Sequence, residues 1–401
     1  MDSGRDEVKM TAVRQDAPST TLTYEHLLHA AQRMFLPDEL ERLAPRMRGG
    51  PRLAEVNGQG AAGLDPIAAT EAIAYDFLAK GGKYSRPFIT LAAYDAITGA
   101  HCTQSDGAAQ AEQRLNDAVR HAALSIESFH KASLVHDDIQ DGDEFRYGRP
   151  TLHIEHGVAT AINVGDFLIG LGYRLVSQDI SELGADTAAD ILNKLAEAHT
   201  KLSEGQGAEL VWRDSRNKRL SAKDALQIYA LKTAPAFEAA LYSGLRLAGP
   251  AKQYADAVDR LARHLGIAFQ ILNDLQDWTG DDFNKLTLGG DVLGGRPTVL
   301  WALALEGLEA DNRQELEQCV AEGKATPQVF AQIRSLFQHA GAFEKALQLV
   351  DEHRAIARQV ADGLSPEALR RLAHHMVETV LEPSAAPNCD AACRPLAAPT
   401  R

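Results

Sequence analysis

Apolar residues recur every three or four positions along most of this chain, and that periodicity restricts it to helices packed on helices. The pattern opens at "TYEHLLHAAQRMFLPDELERLA" and continues through "DPIAATEAIAYDFLAK" and "RPFITLAAYDAITG". One long helix is predicted from about Asn116 to Asp141, then others over 155–180, 185–213, 221–247 and 251–279, with shorter ones to about Leu381. Ala and Leu dominate, Gly and Pro fall at segment ends, and β-branched runs are scarce. No repeat of 20 to 50 residues and no shift in composition marks a second domain. The expectation is all-α, a single large helical bundle over residues 21–382, with residues 1–20 and the Pro/Ala-rich 383–401 disordered.

A formal net charge of −14 argues against a non-specific nucleic-acid binder and suits divalent cations at a carboxylate-lined site. Four cysteines are too few for a disulfide framework, and Cys389 and Cys393 form a C-x₃-C pair with no partnering motif. The opening "MDSGRDEVKMTAVRQDAPST" lacks the apolar centre of a secretory signal. The most span-like stretch, "GVATAINVGDFLIGLGYRLV", is interrupted by Asp166 and Arg174. No transmembrane segment and a cytoplasmic location are expected.

Chemistry concentrates in "LVHDDIQDGDEFRYGRPTLH". On a helix Asp137 and Asp141 share a face, with Asp138 one step around. Three carboxylates in one turn repel unless cations join them. Mg²⁺ takes oxygen ligands and commonly shares its shell with substrate phosphates. A solvated acidic helix end is the plainer explanation. It does not account for the apolar "ASLVH" before the acids or for Arg146 and Arg149 after them.

A second cluster lies in "FQILNDLQDW", where Gln270, Asp274 and Asp277 fall on one face and Asn273 stacks with Asp277. The surrounding apolar residues place these acids in a helix wall. Two such patches on facing helices make a cage for Mg²⁺ and one diphosphate. Basic partners are present in "GGKYSRP" (Lys83, Arg86), "LKTAPAF" (Lys232, with Thr233) and "GGDVLGGRPT" (Arg296). Each cation taken singly is most simply a surface charge. Their joint occurrence with the two acidic clusters is the signal.

These motifs, in this order from about residue 78 to 300, resemble the trans-isoprenyl diphosphate synthase (polyprenyl synthetase) family. "DDIQD" and "NDLQD" are similar to its two aspartate-rich motifs, "GGKYSRP" to its Gly-Gly-Lys segment, and "GQGAELVWRD" to the stretch before its Lys-Thr pair. The resemblance implies the isoprenoid synthase type of fold, helices around a deep central pocket, usually as a homodimer. It implies a prenyltransferase that condenses an allylic diphosphate with isopentenyl diphosphate to make a longer trans-prenyl diphosphate, with roughly three Mg²⁺ ions bound beside diphosphate.

Carried over residue by residue, the resemblance implies metal ligands at Asp137, Asp138, Asp141, Asn273, Asp274 and Asp277. Asp137, Asp138, Asp141, Lys232 and Asp274 are the catalytic set. Arg146, Lys232 and Arg296 would hold the allylic diphosphate, and Lys83, Arg86 and His130 the isopentenyl diphosphate. Thr233 and Gln270 would steady the allylic cation.

Three positions depart from the family pattern. Tyr147 stands where a second arginine is usual, removing a charge-assisted bond of about 1.5–3 kcal/mol from the acceptor site. Arg296 replaces Lys and keeps the charge. Asn273 replaces Asp, and Asn273, Asp277 and Asp281 then resemble the metal triad of class I terpene cyclases. The alternative activity is therefore a cyclase or lyase that ionises a ready-made prenyl diphosphate. A non-catalytic partner subunit is a third reading. Ala132 stands where short-chain members carry an aromatic residue, leaving room for another prenyl unit per helical turn of about 5.4 Å, with Phe129 as the floor and a product of about C20.

Overall fold

The longest helix is set by 32 residues, Gln110–Asp141, that contain neither Gly nor Pro. It runs about 48 Å at 1.5 Å per residue. It stops at Gly142, whose φ of 68° lets the chain turn left-handed, while Asp143 N donates back to Asp138 O at 3.0 Å. The acidic cluster therefore sits on a capped helix end.

This computed structural model describes residues 24–43, 66–99, 110–215, 219–278, 290–321 and 326–381. The segments expected to be disordered, 1–20 and 383–401, lie outside the described residues, as do Cys102, Asp281, Cys389 and Cys393. The first elements are α1 (Tyr24–Arg33), α2 (Pro37–Leu43), α3 (Pro66–Ala79), α4 (Ser85–Thr98) and α5 (Gln110–Asp141). A two-stranded antiparallel ribbon follows, β1 (Phe145–Arg146) and β2 (Arg149–Pro150), turning at Tyr147 and Gly148 with φ of 53° and 72°. Then come α6 (Leu152–His156), α7 (Val158–Ser177), α8 (Ile180–Leu183), α9 (Ala185–Asp214), α10 (Ala222–Ala248) and α11 (Ala255–Asp277). The remainder is α12 (Gly290–Leu293), α13 (Val299–Gly307), α14 (Ala310–Ala321), α15 (Pro327–His339), α16 (Ala342–Asp362) and α17 (Glu367–Leu381).

Among the described residues the fold is all-α apart from that ribbon. The predicted helix over 155–180 is divided by Gly157 (φ 85°), and the helix predicted from 251 begins as a 3-10 turn over Lys252–Tyr254. No helix among the described residues is long and apolar enough to cross a membrane.

α10 is the central column, packed by α4, α5, α9, α11 and α13. Two glycines let its neighbours approach closely. A Cβ on Gly205 of α9 would stand 2.9 Å from Lys232 N, and one on Gly266 of α11 would stand 2.7 Å from Ala234 N. The backbones can meet there only because that atom is missing. These contacts press the wall carrying Lys232 against the helices that carry Glu209 and Asp274. Behind it, α13 is buried from Val299 to Leu305 and covered by α16.

Candidate active site

A cavity of about 310 Å³ opens between α5, α9 and α10. Asp137 and His130 reach it from α5, Lys232 from α10 and Arg86 from α4. Its inner wall is largely apolar, with Ile126, Phe129, Leu195, Ala198, Leu202 and Ala239. A charged rim above an apolar wall accommodates a molecule with an anionic head and a hydrocarbon tail.

The two aspartates that share a face differ in their surroundings. Burial pushes the Asp137 carboxyl up to about 6, with Asp141 and Glu209 adding to the rise while Lys232 opposes it. Asp141 is held by two arginines, Arg213 Nη1 at 3.1 Å and Arg296 Nη2 at 3.1 Å. Asp138, one residue round the helix, is buried and receives Arg146, whose Nε lies 2.6 Å away. That pair anchors the β1–β2 ribbon. Arg149 turns aside to Asp76 of α3 at 3.6 Å.

Lys232 donates to Glu209 Oε2 at 2.5 Å, and the other Glu209 oxygen, Oε1, is buried with no hydrogen-bond partner. One turn earlier on α10, Tyr229 donates its hydroxyl to Asp274, which also accepts Val299 N at 3.1 Å. Asp274 thus joins α11 to α10 and α13. Beside it, Gln270 Nε2 donates to Thr233 Oγ1 at 2.5 Å, so this predicted pair does meet. Asp277 is buried and accepts Asp291 N at 3.3 Å, whereas Asn273 is exposed.

A chain of polar contacts connects the two acidic clusters. Asp141 meets Arg296, Arg296 Nη1 meets Asp291 Oδ1 at 3.0 Å, and Asp291 meets Asp277 through its backbone. Among the described residues no group of three acidic, imidazole or thiol side chains is arranged as a ready metal site. Arg146 pairs with Asp138, and Arg213 and Arg296 with Asp141, while Asp274 and Asp277 accept from a tyrosine hydroxyl and backbone amides.

On the acceptor side, Lys83 is exposed at the turn before α4. Arg86 lies 5.4 Å over the Phe237 ring, and its buried Nε has no hydrogen-bond partner. Burial, reinforced by Arg86, Lys131 and Arg146, holds the His130 imidazole well below its ordinary pKa, so it is neutral at pH 7. Tyr147 covers Gly81 of the glycine turn with its ring.

Phe129 does line the cavity, braced edge-on by Tyr173 with centroids 4.8 Å apart. Ala132 does not line it. It packs with Ile73, Val135 and Leu168 between α3, α5 and α7. Five residues before Asp137 is about 140° round the helix at 3.6 residues per turn, which turns Ala132 away.

Sequence reasoning passed over several groups. Glu209 and Arg213 lie inside "GQGAELVWRD", where Gln206, Glu209 and Arg213 fall at i, i+3 and i+7 on one face. Tyr229 is i−3 to Lys232, and Glu127 and Lys131 form an i, i+4 pair inside an apolar run. Charge within an apolar periodicity was the available signal.

Residues 68–337 match the family described as Polyprenyl synthetase. The chain is 29% identical over 318 residues to the all-trans-nonaprenyl-diphosphate synthase (geranyl-diphosphate specific) of Rhodobacter capsulatus, covering 79% of this chain and 90% of that protein. It is 30% identical over 311 residues to the geranylfarnesyl diphosphate synthase of Aeropyrum pernix, covering 75% and 91%. In three dimensions it resembles a polyprenyl synthase from Caulobacter crescentus complexed with calcium and isoprenyl diphosphate. That likeness has a TM-score of 0.69 at 25% identity, over 90% of this chain and 97% of that one.

Proposed function

The chain belongs to the polyprenyl synthetase family, and from that premise we propose how this prenyltransferase works. Acting in the cytoplasm as a homodimer, it joins an allylic diphosphate to isopentenyl diphosphate and releases a longer trans-prenyl diphosphate of about C20, with Phe129 as the floor of the cavity. The carrying observation is that one cavity combines Asp137, Lys232, Arg86 and His130 with an apolar inner wall. The exposed Ile154, Val158 and Ile162 along α6 and α7 support the homodimer.

The residues present fit a divalent cation. Asp137 carries an unfavourable buried charge, and Glu209 Oε1 is an orphaned buried acceptor beside it. Both call for more positive charge than Lys232 supplies. Asp137, Asp141 and Asp274 would hold Mg²⁺, roughly three ions with diphosphate bound, and Asp138, Asn273 and Asp277 would complete the set directly or through water. The metal supplies charge neutralisation for the departing diphosphate.

The chain's own groups do the rest. Lys232 exchanges Glu209 for a diphosphate oxygen, and Arg296 exchanges Asp141 for another. Arg146, kept in place by Asp138, adds a third cation. Thr233 and Gln270 present oxygen dipoles toward the allylic carbons. Lys83, Arg86 and neutral His130 hold the acceptor so that its double bond faces the ionising carbon.

The terpene cyclase alternative depends on Asp281, which lies outside the described residues. A partner subunit without catalysis leaves the Asp137–Lys232 cavity unexplained. The test is product analysis with geranyl or farnesyl diphosphate and Mg²⁺, with and without isopentenyl diphosphate. A longer diphosphate formed only with both substrates is expected. A hydrocarbon or alcohol formed without isopentenyl diphosphate would overturn the proposal.

A further inference from the structure

Lys131 follows His130 on α5 and is 0% exposed. A buried ammonium is costly unless its protons are used. Two of them are. Nζ donates to Lys80 O at 2.9 Å and to Gly81 O at 2.6 Å, both carbonyls of the turn that leads into α4. Aromatic rings enclose the remainder, Tyr147 at 4.7 Å, Phe77 at 5.1 Å and Tyr84 at 5.8 Å. Lys131 is not among the residues lining the cavity, so it acts through what it holds.

The turn it holds needs holding. Gly81, Gly82 and Tyr84 have φ of 75°, 112° and 49°, a left-handed course that is expensive for tyrosine. A Cβ at Gly81 would run into the Tyr147 ring, so the ring can lie this close only because the residue is glycine. Lys83 and Arg86 project from this turn and the first turn of α4, and neither can keep its direction if the turn relaxes.

The charge balance is local as well. Glu127, 2% exposed, sits one helical turn before Lys131, and its carboxyl is raised to about 7 by burial against the pull of Lys131 and Arg86. Lys131 is lowered by the same burial, with Glu127 opposing and Arg146 assisting.

We infer that Lys131, with the Tyr147 ring over it, is a positioning residue that sets the glycine turn so that Lys83 and Arg86 meet the acceptor diphosphate. This rests on the reading of those residues as the isopentenyl diphosphate site. Tyr147 then has a role of its own, capping a cation supplied by α5.

The test is the double variant Glu127→Gln/Lys131→Met. Losing both charges together avoids stranding one of them in the interior. With wild type and variant compared in steady state, the KM for isopentenyl diphosphate should rise roughly tenfold, with kcat and the KM for the allylic substrate little changed. Amides of residues 80–86 should exchange with deuterium faster while those of α7 do not. Should the double variant fail to fold, Tyr147→Asn removes the ring with a residue that tolerates positive φ. The same selective rise is expected there. An active wild type and a folded variant with unchanged acceptor KM would overturn the role of Lys131 and leave the synthase reading standing. A wild type that makes no isopentenyl-dependent product removes the acceptor site and this inference with it.

Discussion

The guanidinium of Arg296 lies 3.1 Å from the Asp141 carboxylate and joins the segment before α13 to the end of α5. Arg213 holds the same carboxylate from α9. Arg296, proposed for the diphosphate, thus already sits on an acid proposed for its metal. Arg296→Gln should lower turnover by about 10²-fold and weaken the allylic substrate, while Arg296→Lys keeps most activity. Steady-state kinetics of both variants will check this, and a Gln variant at the wild-type rate would remove Arg296 from the site.

Asp274 combines two roles that substitution can separate. It accepts Tyr229 and Val299 N, so Asp274→Ala should cost stability of about 1–3 kcal/mol as well as most of the turnover. Tyr229→Phe loses the bond to Asp274 and the one its hydroxyl accepts from Val299 N at 2.8 Å, and should destabilise the fold while leaving turnover within about tenfold. Urea unfolding beside kinetics distinguishes them. Equal loss of turnover in both would make the carboxylate no more than a support.

Phe129 closes the apolar wall of the cavity, braced by Tyr173. Phe129→Ala should lengthen the main product by at least one prenyl unit, about the depth of one helical turn. Mass spectrometry of the hydrolysed products reads this directly. An unchanged distribution would place the floor elsewhere.

Away from the cavity, His264 and His353 share a hydrogen between their Nδ1 atoms, 2.7 Å apart. Burial pulls His264 down to about 4, aided by His353, Arg263 and Arg260. Between that value and its ordinary pKa near 6.5 the folded chain binds fewer protons than the unfolded one. The stability this contact contributes is complete above pH 6.5 and lost as pH falls toward about 4. The Tm of His264→Gln should fall less steeply over that window, and parallel curves would exclude the pair as a source of acid sensitivity.

The helices were legible because their apolar period is nearly unbroken, and the charged residues were legible because they interrupt it. Asp137, Lys232, Arg86 and His130 were named from sequence and share one cavity. What sequence could not carry was direction. Asp274 is covered by partners 45 and 25 residues away, and Lys131 reaches a turn 51 residues earlier. Ala132, singled out by its place in the family pattern, packs instead with Ile73, Val135 and Leu168, about 140° round the helix from Asp137. Gly205 and Gly266 carry no chemistry, yet they bring α9 close to α10 at Lys232 and α11 close to it at Ala234.

Crystals grown with Mn²⁺ and a non-ionisable allylic thiodiphosphate, measured at the manganese absorption edge, address the shared cation cage most directly. Anomalous peaks should fall between Asp137 or Asp141 and the diphosphate oxygens, with a further peak on Asp274, and with Arg296 moved from Asp141 to the diphosphate. Bound thiodiphosphate with no manganese on either acidic cluster, or manganese only at surface carboxylates, would contradict the account.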